Sequence, residues 1–246
     1  MIDDRLYIDP ELVQFYDLEN EGGDDVDFIL QFVGDAGSVL DLGCGTGALT
    51  AMLANGRAVT GADPAPAMLD VARKRPGGDR VEWVEGDARS LRLGKSFDLV
   101  LLTGHAFQVF LTAEDQRAAL DTIAAHLAPG GRFIFDSRNP LAREWLEWGP
   151  DDSRRTIEHP TFGTVEAWND AVRDEVSGIV SYDTFYRITA DGRQFHARSR
   201  IAFPAQEPLA AVMAEAGLVV DRWLGSWQGA PYAPDMREII PIGHKG

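Results

Sequence analysis

The segment from Val39 to Gly47, VLDLGCGTG, constrains the fold more than any other part of the chain. Its apolar run ends at Leu42 and leads into three glycines that alternate with other residues. The apolar residues that follow recur at helical spacing: Ala48, Leu49, Met52 and Leu53. The segment therefore predicts a strand, a tight turn and a helix. The glycines leave the turn without side chains, so a ligand can lie against its backbone.

Strands and helices continue to alternate after this turn. Apolar or alternating runs predict strands at 58–62, 81–85, 97–102 and 132–135, and helical spacing predicts helices between them. The Pro-Gly-Gly sequence at 129–131 is expected to end the helix before the fifth strand. This order predicts a doubly wound, mainly parallel sheet. Two later runs, 218–220 and 238–242, predict its last strands.

The pattern changes between residues 150 and 205, where β-favouring residues replace the helical stripes. Residues 180–188 and 195–203 alternate around an Asp-Gly turn, which predicts a hairpin in an antiparallel sheet of three or four strands. The sequence thus predicts one domain. Its core spans about 24–149 and 206–246, an antiparallel β insert occupies 150–205, and an arm precedes residue 24.

Composition limits the partners and the location. The net charge of -16 opposes nonspecific binding of nucleic acid. No apolar run is long enough to span a membrane, the first residues do not resemble a secretory signal, and the single cysteine fits a reducing compartment. A cytoplasmic location is expected. The acidic residues that dominate positions 1–35 predict a solvated, partly frayed arm, and the alternative is a mobile lid.

Three carboxylates stand at or near the carboxyl ends of the first three predicted strands: Asp41, Asp63 and Asp87. In an open α/β sheet these ends line one crevice. Asp41 is suited to a ligand with an ammonium group and would repel a pyrophosphate. Asp63 can accept hydrogen bonds from ribose hydroxyls, and Asp87 with the Ala88 amide can read an adenine edge. The spacing of Gly43, Gly45 and Ala48 also fits the dinucleotide fingerprint, so a nicotinamide oxidoreductase remains an alternative.

Several segments together resemble the motifs of class I S-adenosylmethionine-dependent methyltransferases. They are the glycine turn, GADPAPAML at 61–69, EGDA at 85–88, FDLV at 97–100 and LAPGGRF at 127–133. The resemblance covers about 24–140 and, weakly, 206–246. It implies a Rossmann-like sheet of seven strands with the last one reversed, and S-adenosylmethionine as cofactor. The cofactor contacts that it implies are Tyr16, Asp41, Gly43, Cys44, Gly45, Gly47, Asp63, Pro64, Met68, Asp87, Ala88, Thr103 and Gly104.

The acceptor side is less constrained by the sequence. His105 follows the fourth strand and is a candidate general base, with a structural histidine as the alternative. The residues expected to contact a small-molecule acceptor, at nitrogen or oxygen, are Phe107, Arg138, Asn139, Trp168, Tyr186 and Arg198. The aromatic face of the insert could instead form a homodimer interface.

Two further expectations concern function class. Tyr16 and Asp17 resemble a Tyr-Asp pair that closes over the cofactor in many small-molecule methyltransferases, and the alternative is simple packing of the aromatic ring. The other histidines lack metal-ligand spacing, so no metal site is predicted. Besides an oxidoreductase, a non-catalytic S-adenosylmethionine sensor remains an alternative to a methyltransferase.

Overall fold

A computed structural model describes residues 4–20 and 22–246 of the chain. The strands are β1 Ser38–Leu42, β2 Ala58–Asp63, β3 Val81–Glu85, β4 Phe97–Leu102, β5 Leu127–Phe135, β6 Ser137–Arg138, β7 Arg155–His159, β8 Gly163–Arg173, β9 Val180–Ile188, β10 Gln194–Ile201, β11 Leu218–Leu224 and β12 Glu238–Lys245. The α-helices are α1 Arg5–Ile8, α2 Pro10–Glu19, α3 Asp24–Phe32, α4 Ala48–Leu53, α5 Pro66–Ala72, α6 Ala113–His126 and α7 Gln206–Glu215.

The central sheet has the strand order β11-β12-β5-β4-β1-β2-β3, and the short β6 pairs with β12. The five strands from β5 to β3 are parallel, whereas β12 runs antiparallel to both β5 and β11. β1 and β4 are almost wholly buried because helices and loops cover both faces of the sheet. The predicted doubly wound sheet with a reversed last strand is confirmed.

The strand order places a crevice at the carboxyl end of β1. From β1 the chain moves to β2 and β3 on one side, and β4 and β5 lie on the other side. Loops that leave β1 and β4 therefore diverge, which opens the crevice where α/β sheets bind ligands. Apolar clusters pack on both faces of the sheet and hold the strands whose carboxyl ends form the crevice.

The insert forms a four-stranded antiparallel sheet in the order β10-β9-β8-β7. Along β9 the side chains of Val180, Thr184, Tyr186 and Ile188 are buried. This face packs against α2, where the Phe15 ring stacks on the Tyr186 ring at a centroid distance of 4.2 Å. The expected antiparallel sheet is confirmed.

The arm differs from the frayed segment that its charge predicts. The side chain of Asp4 accepts a hydrogen bond from the Leu6 amide, and that of Asp9 accepts one from the Glu11 amide. Both residues are thus helix N-caps, a role for acidic residues that charge counting overlooks. Leu12 and Phe15 of α2 are completely buried against the insert. Residues 1–3 and 21 of the predicted arm lie outside the described residues.

One element boundary also differs from the prediction. The helix α6 ends at His126 and β5 begins at Leu127, so the Pro-Gly-Gly sequence lies within the strand. Leu127 pairs with Phe97, and after a register shift Arg132 pairs with Leu99, which extends the strand on both sides of the glycines. No helix of the described residues is long and apolar enough to cross a membrane. The cytoplasmic location stays a prediction.

Candidate active site

The glycine turn has a backbone conformation that needs glycine at several positions. Gly43, Gly45 and Gly47 all have positive φ angles, of 67°, 54° and 73°. At Gly47 a Cβ atom would also lie 2.4 Å from the Trp83 ring. The amides of Gly43 and Cys44 donate to the Ala62 carbonyl oxygen and anchor the turn to β2. The turn is therefore rigid before any ligand binds.

Asp63, at the end of β2, holds the turn from the other side. Its Oδ2 accepts a hydrogen bond from the Gly45 amide at 2.9 Å, and its Oδ1 accepts one from the Ala65 amide at 2.8 Å. Burial raises the pKa of the Asp63 carboxyl, and the two amide bonds oppose this rise. Each carboxylate oxygen keeps further acceptor capacity, which matches a pair of vicinal hydroxyls.

Asp41 is buried at the end of β1. Its Oδ2 accepts a hydrogen bond from the Thr50 hydroxyl at 2.6 Å. Burial, with a smaller contribution from Asp63, raises the pKa of Asp41 to about 7 despite this bond. A carboxylate that lacks a cationic partner is costly to bury, so the site favours a ligand that brings a positive charge.

Two cavities meet at the crevice. The inner cavity, of about 310 Å³, lies between the turn and the insert, and the outer cavity, of about 740 Å³, opens toward α3 and the loop before β12. Tyr16, Gly43, Thr103, Gly104 and His105 line both. The predicted cofactor residues that line only the inner cavity are Gly45, Asp63, Pro64, Met68 and Ala88. Asp41 and Cys44 line only the outer cavity.

Gly47 and Asp87 are not among the residues that line these cavities. Gly47 acts through the shape of the turn. The Asp87 carboxylate forms a salt bridge with Arg89, with 2.6 Å between Oδ2 and Nη2, and Arg89 also contacts Asp115. The Arg89 guanidinium and amide hold the pKa of Asp87 below its usual range against the effect of burial. The predicted adenine contact of Asp87 stays a prediction, while Ala88 reaches the inner cavity.

The arm is tied directly to the turn. The Tyr16 ring lies against Gly45, where a Cβ atom would be 3.7 Å from the ring. The next residue, Asp17, accepts a hydrogen bond from the Thr46 hydroxyl and forms a salt bridge with Arg75. Arg75 also donates to the Thr46 carbonyl oxygen at 3.0 Å. Tyr16 thus covers the turn, which is the position that a lid would take; whether it moves stays a prediction.

His105 lies at the wall shared by the two cavities. Its φ of 60° is unusual for a residue with a side chain, and such strain is concentrated at functional sites. Nε2 is 3.1 Å from both carboxylate oxygens of Glu238 and 3.4 Å from Oδ2 of Asp136. Burial raises the pKa of Asp136 to about 6, and His105 opposes that rise.

The cluster of His105, Asp136 and Glu238 offers three ligand atoms within 4.8 Å of one another. The contacts between His105 Nε2 and the Glu238 carboxylate, at 3.1 Å, are within the range of ordinary N–H···O hydrogen bonds. The predicted lack of a metal site stays a prediction. The sequence analysis assigned no role to Asp136 or Glu238. Asp136 follows β5, which pairs in parallel with β4 and so ends beside His105, whereas Glu238 begins β12 and reaches His105 only because β12 returns antiparallel beside β5 and β6.

The predicted acceptor residues divide into two groups. Arg138 and Tyr186 line the inner cavity. The other four do not, each for a physical reason. Phe107 is fully buried between Phe110 and Phe135. Asn139 is fully buried and binds the carbonyl oxygens of Pro234 and Met236.

Trp168 and Arg198 lie on the face of the insert that is turned away from the cavity. The Trp168 ring stacks on Phe185 at a centroid distance of 5.2 Å, and Arg198 forms a salt bridge with Asp183. The register of β8 and β9 determines which side chains share a face. Trp168 pairs with Phe185 on the outer face, and Asn169 pairs with Thr184 on the face that lines the cavity. A role for this outer face as an interface stays a prediction.

Other residues that line the inner cavity were absent from the sequence prediction. They include Glu19, Trp148, Arg155, Asn169, Tyr182 and Thr184. No local motif marks them. A period-2 pattern shows that Tyr182, Thr184 and Tyr186 share a face, but not that this face meets the arm and the crevice.

Comparison with known proteins agrees with this geometry. Residues 39–131 match a family model described as a methyltransferase domain. The chain is also 33% identical over 213 residues to a cypemycin N-terminal methyltransferase from Streptomyces sp, covering 85% of this chain and 83% of that protein. The chain belongs to the class I S-adenosylmethionine-dependent methyltransferases. This membership decides against the oxidoreductase and the sensor that the sequence alone left open.

Solved methyltransferases have the same fold. One from Clostridium acetobutylicum has a TM-score of 0.79 at 18% identity and covers 96% of this chain and 98% of its own. The S-adenosylmethionine-bound CalS10 from Micromonospora echinaspora, an amino pentose methyltransferase, has a TM-score of 0.68 at 27% identity and covers 93% of this chain and 92% of its own. These neighbours therefore share the fold over nearly the whole length of the chain.

The residues present fit the cofactor of this methyltransferase. S-adenosylmethionine carries an ammonium group, which can pair with the buried Asp41 carboxylate. It also carries two ribose hydroxyls, which can donate hydrogen bonds to the free lone pairs of the Asp63 carboxylate. Gly104 has a φ of 70° with open space where a Cβ atom would point, so the backbone there can approach a ligand closely. When bound, the cofactor supplies an electrophilic methyl group on a sulfonium.

Proposed function

We propose that this methyltransferase methylates the amino nitrogen of a small molecule, and that His105 accepts the proton. The position of His105 carries the proposal, since it lines both cavities and is backed by two carboxylates. If Nε2–H donates to Glu238, the tautomer leaves the lone pair on Nδ1 for a proton from the acceptor. Asp136 and Glu238 then stabilise the imidazolium.

The size of the inner cavity supports a small acceptor. The inner cavity, of about 310 Å³, is lined by predicted cofactor residues as well as by the insert, so the space left for an acceptor beside S-adenosylmethionine is smaller and suits a small molecule or the end of a chain. The two relatives above with named acceptors are an N-terminal methyltransferase and an amino pentose methyltransferase, and both names describe amine-bearing acceptors.

The charge of the outer cavity supports an amine. Its basic residues, apart from His105, are Arg138 and Arg237. Its acidic residues are more numerous: Asp17, Glu19, Asp24, Asp25, Asp41, Asp136, Asp235 and Glu238. Such an excess attracts a protonated amine and repels phosphate groups. The amine loses a proton to become a nucleophile, and a histidine is suited to accept it near neutral pH.

Positioning supplies much of the acceleration in a direct displacement. Holding the nitrogen in line with the methyl carbon and sulfur contributes roughly 7–11 kcal/mol in favourable intramolecular cases. In this protein the aromatic rings of Tyr7, Tyr16, Trp148 and Tyr182 line the inner cavity, where they can pack against a bound acceptor. Removing the base therefore lowers the rate without abolishing it.

The test measures methyl incorporation from labelled S-adenosylmethionine into amines and their matching alcohols. We expect amines to be methylated and alcohols not. The His105→Gln variant should lower kcat by about 100- to 10,000-fold and leave the affinity for S-adenosylhomocysteine unchanged. Exposed His244, which pairs with Asp221, supplies a matched control, His244→Gln, with unchanged kcat.

Three outcomes would contradict the proposal. Methylation of alcohols in preference to amines would reject the amine acceptor. An unchanged kcat of His105→Gln at saturating amine would reject the base. A loss of activity on treatment with a chelator, restored by a divalent cation, would instead assign the His105 cluster to a metal.

A further inference from the structure

The outer face of the insert carries a row of stacked side chains that crosses the sheet. Trp168 of β8 stacks on Phe185 of β9 at a centroid distance of 5.2 Å, and Phe185 stacks on the His196 ring of β10 at 4.7 Å. On the other side, the Arg154 guanidinium, just before β7, lies 5.1 Å from the centre of the Trp168 ring. None of the three rings is buried within the described part of the chain.

Valine side chains enlarge the apolar part of this face. Side chains of a strand alternate between its two faces, so Val172 of β8 shares the face of Trp168. Val172 is 68% exposed, and Val176, in the turn between β8 and β9, is 98% exposed. Accessible aromatic rings, arginines and a contiguous apolar surface are typical of a protein interface. The outer face therefore has the composition of a surface that another protein covers.

The outer face is neutral, unlike the chain as a whole. Its arginines and its acids are equal in number: Arg154, Arg187, Arg198 and Arg200, and Glu158, Glu166, Asp170 and Asp183. The net charge of -16 therefore resides on the rest of the protein. Two copies that met through the acidic remainder of the surface would place like charges together, whereas they can meet through the outer face without this repulsion. The charge distribution thus favours a second copy of this chain as the partner.

The register of β8 and β9, the two central strands of the insert, makes the face complementary to itself. Glu166 pairs with Arg187 and forms a salt bridge with it, and Trp168 pairs with Phe185. A two-fold axis that lies in the interface, between these strands and parallel to them, places β8 of one copy opposite β9 of the other. Glu166 then faces Arg187 of the second copy, and Trp168 faces Phe185 of the second copy.

The next acids along β8 and β9 also face each other in this arrangement. Asp170 faces Asp183 of the second copy, and Asp183 is hydrogen-bonded to His196 and Arg198 of its own chain at 2.6 Å each. The Arg198 side chain is 67% exposed and adds a positive charge beside the two carboxylates. The arginine of each copy therefore offsets the repulsion between the acids.

The area of the outer face is sufficient for a specific dimer. Strands lie about 4.8 Å apart and rise about 3.3 Å per residue, so four strands of up to 11 residues form a face of roughly 20 Å by 30 Å. Covering this face on both copies would bury about 1,200 Å² in total, which is the lower end of the range for specific interfaces.

We propose that two copies of this chain associate through the outer faces of their inserts, with β8 of each copy opposite β9 of the other, to form a two-fold symmetric dimer. The proposal is independent of the proposed acceptor and base, because the residues of the outer face line neither the inner nor the outer cavity.

Light scattering of the wild-type protein tests the dimer first. We expect a molecular mass twice that of one chain at protein concentrations of about 10–100 μM. Dilution of the same sample gives the dissociation constant with which the variants are compared.

Two charge reversals then test the arrangement of the copies. In the Glu166→Arg variant the new arginine faces Arg187 of the second copy, and in the Arg187→Glu variant the new glutamate faces Glu166 of the second copy. Each variant alone should have a dissociation constant at least about tenfold higher than that of the wild type. An equimolar mixture of the two variants should regain the dimer, because opposite charges then face each other across the interface.

A matched control separates this pairing from the change in net charge. Asp35 is exposed in the turn after α3, and Asp35→Arg changes the net charge by as much as Glu166→Arg. The Asp35→Arg variant should keep the dissociation constant of the wild type. Thermal unfolding of all three variants shows whether each is folded.

Three outcomes would overturn the dimer. The first is a wild-type mass equal to that of one chain. The second is a dimer that both charge reversals leave unchanged, which would place the interface on another face. The third is a mixture of folded variants that stays monomeric. Methyl transfer to an amine is measured separately on the same samples, so a failure of the dimer is distinguished from a failure of the proposed function.

Discussion

The cofactor half of the molecule and the insert with its arm are built by different means. Around β1 and β2 the backbone itself forms the cavity wall, since glycines with positive φ angles shape the turn and the Asp63 carboxylate is hydrogen-bonded to it. In the insert, single side chains from β7, β8 and β9 meet residues of α2 across a cavity. The first region depends on local sequence, whereas the second depends on register and on contacts between distant segments.

This difference means that the geometry of the turn and the geometry of the insert are fixed by different parts of the sequence. The turn serves one cofactor, so its geometry is fixed by a few residues close in sequence. The insert lines the inner cavity, and its alternating strands turn one face to that cavity and the other to solvent. A change on one face should therefore affect the acceptor, and a change on the other face should not.

The largest effect on stability is expected at Gly47. The Gly47→Ala variant combines a positive φ with a Cβ atom 2.4 Å from the Trp83 ring, so the free energy of unfolding should fall by about 2–4 kcal/mol. Gly56 has a φ of 79° with open space around its Cβ position, and Gly56→Ala should cost only about 1 kcal/mol. Urea unfolding measures the free energy of unfolding of both variants. Equal losses would show that the contact between Gly47 and the Trp83 ring contributes nothing beyond the cost of the positive φ angle.

The largest effect on cofactor binding is expected at Asp63. The Asp63→Ala variant loses the acceptor for the ribose hydroxyls and for the Gly45 and Ala65 amides, so S-adenosylhomocysteine affinity should fall by about 100-fold or more. Asp87→Ala is the control, and since its carboxylate is engaged by Arg89 the loss should stay below about tenfold. Calorimetric titration measures both affinities, and a loss of more than about tenfold at Asp87 would support the predicted contact of Asp87 with adenine.

A smaller effect is expected from the ionisation of Asp41. Because burial raises its pKa to about 7, a cofactor ammonium that requires the ionised form should bind about tenfold more weakly at pH 6 than at pH 8. The Asp41→Asn variant should lose this pH dependence. Titration with S-adenosylhomocysteine at the two pH values measures this dependence. If the affinity of the Asp41→Asn variant changes with pH as much as that of the wild type, a group other than Asp41 titrates.

The same pKa fixes the sign of a stability change. Since the pKa of Asp41 is higher in the folded state than its ordinary value of 3.8, the folded protein loses stability as the pH rises from about 4 to about 7. Asp41→Asn should therefore raise the Tm at pH 8 and change it little at pH 4. A lower Tm at pH 8 would show that the ionised carboxylate is stabilised by a group other than Thr50.

The smallest effect on activity is expected on the outer face of the insert. Trp168→Ala should leave kcat/KM within about twofold, because the ring stacks on Phe185 away from the cavity. Light scattering of the same variant tests the homodimer interpretation, in which the molecular mass should fall. A large loss of kcat/KM without a change in molecular mass would show that the outer face of the insert also affects the acceptor, and that the two faces of the insert do not differ in function as expected.

The cofactor half could be predicted from the sequence because its signals are local. The glycine spacing, the apolar strands and the acid at the end of β2 each lie within a few residues of the structure that they specify. His105 was also found, since it directly follows β4. The arm was misjudged because its acidic residues were counted as charge, whereas Asp4 and Asp9 cap helices.

Only the tertiary structure decided the acceptor side. Glu238 reaches His105 because β12 returns antiparallel beside β5, and Asn169 rather than Trp168 faces the cavity because a strand turns successive side chains to opposite faces. Glu19 and Arg155 are 136 positions apart in the chain. The sequence by itself determined the methyltransferase fold and its cofactor turn, because backbone conformation is encoded locally. The acceptor cavity depends on which distant side chains the packed sheets bring together.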